Sequence, residues 1–189
     1  QWTGPLGLAF ASDKPVETRT MLCPAGYVTG IKVRQGRDAK NDVDTYDFQL
    51  QCGRRWTAWS GMTFNNLKNE RTFECPMKML VTGLEVKKGR QEWGDVDTYD
   101  FKLQCSGVWQ EYLGLPFANE EKVGRKECAP GAMVWGWKVY RGFVKRGDRD
   151  NYEFDLNCRE ASDAAAAVRK SPNPRELGLS QNVFMWSAA

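Results

Sequence analysis

The sequence predicts an all-β protein of three internal repeats, each about 53 residues long, and three observations carry that prediction. One acidic, tyrosine-bearing phrase is written three times, as DVDTYDFQLQC ending at Cys52, DVDTYDFKLQC ending at Cys105 and DRDNYEFDLNC ending at Cys158. The six cysteines fall as one pair per repeat. The apolar residues around these features alternate with polar ones, which is the period of a half-buried antiparallel strand.

Each unit opens on a tryptophan (Trp2, Trp56, Trp109), followed five residues later by a glycine and eight later by a phenylalanine (Phe10, Phe64, Phe117). The segments LGLAF, SGMTF and LGLPF that end this stretch read as further strand. A polar stretch carrying Arg19, Arg71 or Arg125 leads to the first cysteine. After it come VTGIKVRQG, VTGLEVKKG and VWGWKVYRG, where Ile31 and Val33, Leu84 and Val86, and Trp137 and Val139 alternate with other residues to make a strand. Glycine-bearing polar connections suit hairpin turns or bulges. The repeated phrase closes the unit as a second strand, with Tyr46, Phe48, Leu50 and Cys52 on one face. The repeat makes Cys23–Cys52, Cys75–Cys105 and Cys128–Cys158 the natural pairing among 15 connectivities. Each bridge then staples a hairpin's start to its end, and closing a loop of this length contributes about 3 to 4 kcal/mol.

Three such units about a pseudo-threefold axis give a closed body, with the tryptophans and the Tyr/Phe rows filling the centre. A β-prism satisfies this best, and a β-trefoil is the competing closure. The domain runs over residues 1–159, in repeats 1–53, 54–106 and 107–159, and a tail follows over 160–189. In the tail EASDAAAAVRK can form a short helix, SPNPRE breaks it, and Leu177, Leu179, Val183, Phe184, Met185 and Trp186 form an apolar end that either packs back on its own domain or docks on a neighbouring molecule.

Composition narrows the function. Lys and Arg number 27 against 24 Asp and Glu, too even a balance to mark a nucleic-acid binder, and no apolar run is long enough for a membrane span. The cysteine usage and the absence of a starting Met fit a secreted, disulfide-bonded chain freed of a signal peptide. Histidine is absent, which removes Ser-His-Asp and Cys-His catalysis and makes zinc a poor alternative for the cysteines. A threefold-repeated acid is a poor unique catalyst, so no catalytic residue is assigned and the protein is read as a non-enzyme.

The repeated acids admit two readings. Asp42, Asp44, Asp95, Asp97, Asp148 and Asp150 offer clustered carboxylates to calcium, though not at EF-hand spacing. The competing reading has them capping turn amides or pairing with Arg37 and Lys40. Trp59, Trp93 and Trp135 do not recur at equivalent repeat positions, which makes them candidate glycan-binding aromatics beside polar side chains.

The opening Trp and Gly, the CPAGY start at Cys23, the Gly-hydrophobic-x-Val strand and the x-Leu-x-Cys close together resemble the vitelline membrane outer layer protein I family over residues 1–158. That resemblance implies a β-prism and a secreted coat protein that interacts with carbohydrate. The Cys-Pro start and DRDNYEF are also similar to the repeats of dermatopontins, which are extracellular matrix proteins. The expectation is a secreted structural or adhesive protein of a coat or matrix. It would act through protein contacts, including self-association by the tail, and through glycans. The alternative is a soluble lectin-like recognition or defence protein.

Overall fold

A computed structural model gives the structure of the protein over residues 1–8, 10, 15–38, 43–91, 96–144 and 149–161. Its strands are β1 (Glu17–Leu22), β2 (Val28–Asp38), β3 (Val43–Cys52), β4 (Arg55–Trp56), β5 (Leu67–Glu74), β6 (Val81–Gln91), β7 (Val96–Cys105), β8 (Val108–Trp109), β9 (Glu120–Glu127), β10 (Ala132–Val144) and β11 (Arg149–Glu160). They form three antiparallel sheets in the orders β1-β10-β11, β4-β3-β2-β5 and β8-β7-β6-β9. Three separate sheets around one core make a β-prism, not a trefoil.

Each sheet is centred on the hairpin of one repeat, and its outer strand comes from the next. β5 pairs with β2, and β9 pairs with β6. The ring closes because β1, near the start of the chain, pairs with β10 near its end. The opposite edge of each sheet is covered in the same cyclic way by the tryptophan-led arms. Ser60 and Leu113 donate their amides to Phe48 and Phe101 at 2.8 and 2.9 Å, and Leu6 donates to Phe154 at 3.0 Å. Trp2 bridges Asn157 as Trp56 and Trp109 bridge Gln51 and Gln104.

The added strands therefore lie in the polar stretches before each first cysteine, not at the LGLAF, SGMTF and LGLPF ends expected to supply them. Those ends bend away from strand geometry at Gly7, Gly61 and Gly114, whose φ values of 83°, 75° and 76° suit glycine alone. The outer strands press close to the hairpins. A Cβ on Gly136 would stand 2.2 Å from the carbonyl oxygen of Met21, and one on Gly30 2.5 Å from that of Phe73. The same glycines mark the register shift in β10 and β2.

The closing strands β3, β7 and β11 line the axis. Tyr46, Tyr99 and Tyr152 form one layer, Phe48, Phe101 and Phe154 the next, and Leu50, Leu103 and Leu156 a third, all buried. Within the tyrosine layer the ring centroids are 5.4 to 5.5 Å apart and within the phenylalanine layer 5.3 to 5.5 Å, all edge to face. Such pairs contribute about 0.5 to 1.5 kcal/mol each beyond their area. The cysteines pair as the repeat requires, Cys23–Cys52, Cys75–Cys105 and Cys128–Cys158.

The opening tryptophans do not fill the centre as expected. They pair opposite Gln51, Gln104 and Asn157, which alternate with the core row, so they lie half-buried on the outer faces. A cation covers each. Lys32 and Lys138 stand over Trp56 and Trp2 at 4.9 and 4.1 Å. The equivalent position in the remaining sheet is Glu85, and there Arg125 covers Trp109 at 4.6 Å while ion-paired to that glutamate. The cation is thus kept although the residue supplying it changes.

Candidate functional site

The last acid of the repeated phrase fastens the arms. Glu153 accepts from the amides of Gly7 and Leu8 at 3.0 and 2.8 Å, Asp100 from that of Gly114 at 3.1 Å, and Asp47 from the hydroxyl of Ser60. Each also accepts from the amide of the following aromatic residue at 2.9 Å. Burial raises the pKa of Asp100 against the pull of the amides it binds.

Asp44 and Asp97 sit three positions earlier in the same strands, buried against side chains of the partner strand. Asp44 accepts from Gln35 at 2.9 Å and from Arg37 at 3.1 Å. Asp97 faces Lys88 at 3.2 Å and Arg90 at 3.9 Å. Among the described residues no group of three or more Asp, Glu, Cys or His is arranged to hold a metal ion. Asp42, Asp95, Asp148 and the side chain of Asp150 lie outside the described residues, as do Trp93 and the tail positions Leu177, Leu179, Val183, Phe184, Met185 and Trp186.

The two described candidate tryptophans already have partners. Trp59 is half-buried with the Arg34 guanidinium over it at 4.1 Å; Phe64 flanks the same guanidinium at 4.3 Å. Its place on the arm corresponds to that of Tyr112, where Lys87 lies over Tyr112 and Phe117 at 4.2 and 4.3 Å, so the position is aromatic in two units. Trp135 is 6% exposed, edge to face with Tyr27 and covered by Arg159 at 4.0 Å, which leaves little ring for a ligand.

A cleft of about 370 Å³ opens where the second and third sheets meet, at the end of the axis marked by the tyrosine layer. Gln35 and Arg37 of β2, Asp44 of β3, and Lys68 and Asn69 of β5 line one side. Gln91 of β6, Thr98 of β7 and the arm residues Pro116 and Phe117 line the other. The polar wall is ordered: Asn69 donates to Gln35 at 3.0 Å, and Arg37 reaches across to the Gln91 carbonyl at 3.2 Å.

The equivalent junctions are built from different chemistry. Cross-strand neighbours at this level are Gln35 and Asn69 in the second sheet, Lys88 and Lys122 in the third, and Arg141 and Glu17 in the first. Glu17 fills its own junction, accepting from Arg141 at 2.9 Å and from the Thr63 amide of the neighbouring sheet's arm at 3.2 Å. Burial alone would raise its pKa, but Thr63 and Arg141 together lower it. The frame is threefold; its end is not.

The cleft as a site escaped the sequence reading, which named Asp44 only as a candidate calcium ligand or a partner of Arg37, because two sheets and an arm bring its residues together. The signal available was the variation itself, since positions 35, 88 and 141 read Gln, Lys and Arg on a frame whose core rows scarcely change.

No family model matches the sequence, and no curated protein matches it. The fold is similar to that of the Calystegia sepium agglutinin, with a TM-score of 0.55 and 10% identity over 85% of this chain and 96% of that one. It is also similar to a prostate-specific WGA16 glycoprotein lectin, with a TM-score of 0.50 and 13% identity over 83% of this chain and 99% of that one. At such identities the likeness establishes the architecture alone.

Proposed function

We propose that the protein is a secreted, lectin-like carbohydrate-recognition protein whose sugar seat is the cleft between the second and third sheets. The observation that carries this reading is the lining: the apolar surface of Pro116 and of the half-buried Phe117 ring, which Lys87 covers on one face, beside the amides Asn69 and Gln91 and the charged Arg37, Asp44 and Lys68. A sugar ring needs an apolar surface for its C–H face and convergent polar groups for its hydroxyls, in a concavity of this size. Two proteins of similar fold are named as an agglutinin and a lectin, which favours the same reading. Three disulfides suit an oxidising, extracellular setting.

Binding is favoured over turnover. A glycosidase flanks the scissile bond with two carboxylates. Of the described residues lining the cleft, Asp44 alone carries one, and Gln35 and Arg37 engage it. A coat-forming role needs a self-association element as well, whereas recognition needs only the cleft.

The test is a broad glycan array followed by titration calorimetry. At least one oligosaccharide should bind saturably, more weakly to Gln91→Ala and equally to Arg54→Ala, which alters the exposed turn at the far end of the sheet. An array without a saturable ligand, or binding indifferent to Gln91, would sink the proposal.

A further inference from the structure

The cleft is rich in donors and poor in acceptors, and from this we infer that its ligand is an anionic sugar, one carrying a carboxylate or a sulfate group. The inference rests on the carbohydrate reading above and names the class of sugar. Neutral sugars offer hydroxyls, which are best held by a carboxylate with open acceptor sites. Asp44, the carboxylate of this lining, is taken up by Gln35 at 2.9 Å and Arg37 at 3.1 Å.

Asn69 Oδ1 remains an open acceptor among the described side chains, and the rest of the open capacity is of the other kind. Gln91 spends its carbonyl on Arg37 at 3.2 Å, and its amide nitrogen keeps two N–H groups for a ligand. Lys68, exposed at the rim on β5, has no carboxylate within ion-pair distance among the described residues, leaving three N–H groups and a full positive charge. With Arg37 offset by Asp44, the lining carries one net positive charge, from Lys68. An acceptor-only, negatively charged group completes this set, and a charge-assisted bond to Lys68 is stronger than any bond the same donor makes to a neutral hydroxyl.

The first junction gives a built comparison. There Glu17 puts the protein's own carboxylate between a guanidinium and an arm amide. In the second junction Asn69 stands at the matching cross-strand place, and no carboxylate of the described residues occupies it.

Titration calorimetry with three probes tests this: a galacturonic acid trisaccharide, a sulfated galactose trisaccharide and the neutral galactose trisaccharide. One or both charged probes should bind, and which one does separates carboxylate from sulfate recognition. Binding should weaken with added salt and fall about tenfold or more in Lys68→Gln, the scale of a lost hydrogen bond to a charged group. Equal or tighter binding of the neutral trisaccharide, or affinity unchanged in Lys68→Gln, overturns the anionic assignment while leaving carbohydrate recognition standing. Failure of all three probes beside a neutral hit on the broad array has the same meaning. An array with no hit removes both.

Discussion

The phenol oxygen of Tyr152 accepts a hydrogen bond from the backbone amide of Tyr46 at 3.0 Å, across 106 residues of sequence. Tyr46 does the same for the amide of Tyr99, and Tyr99 for that of Tyr152, both at 3.0 Å. The bonds form a closed ring through the core, each repeat satisfying a buried amide of another. Tyr99→Phe keeps the ring packing and orphans the Tyr152 amide, so it should destabilise the protein by about 1 to 3 kcal/mol. Urea unfolding reads this, and a loss too small to measure would mean the amide finds another partner.

High pH should attack the same layer. Burial first, then Asp44 and Asp97, push the phenols of Tyr46 and Tyr99 well above their ordinary value of 10.0. Folding thus holds these protons more tightly than the unfolded chain does. The stability they supply is whole below about pH 10 and is lost as pH rises beyond it toward the folded values. A denaturation midpoint measured from pH 8 to 12 should fall above pH 10, and Tyr46→Phe should flatten that fall.

Trp137 is a less well-fitted core residue. It lies fully buried beside Phe48 and Phe154, and its indole N–H has no acceptor among the described residues. The equivalent places hold Ile31 and Leu84, which carry no such donor. Trp137→Phe removes the orphaned donor while losing some packing, so the net cost should stay below about 1 kcal/mol. Phe154→Ala, which only removes packing, should cost about 3 to 5 kcal/mol. Similar losses for the two variants in urea would contradict the argument.

Glu153 controls the attachment of the first arm, because its carboxylate holds the Gly7 and Leu8 amides. In Glu153→Ala, hydrogen-exchange protection of residues 3–8 should fall by at least tenfold, while that of β3 and β7 stays within about twofold. Glu153→Asp should retain most of the protection, since Asp100 fastens the third arm from the same place.

Much of this was legible in the sequence. The repeats, hairpins and disulfides follow from a 53-residue offset and an alternation of two, and both are local properties of the chain. The exchange of β1, β5 and β9 between repeats was not legible. ETRTML, LKNERTFE and EEKVGRKE are polar strands at sheet edges, and half-exposed strands show little hydrophobic period. The opening tryptophans misled for a related reason: recurrence marks a kept position, while only strand parity tells whether it faces the core. Lys68 and Asn69 belong by sequence to the second unit, yet they line a cleft against Gln91 and Phe117 from the strand and arm of a different sheet.

The pairing of β1 with β10 also constrains how a ribosome can deliver this protein. The first arm and β1 join a sheet whose hairpin is residues 132–160, so they have no sheet to dock on until that hairpin has emerged, after the second and third sheets. The second and third sheets can assemble as their strands appear. Closure of the prism therefore waits on a pairing between strands far apart in sequence, β1 with β10.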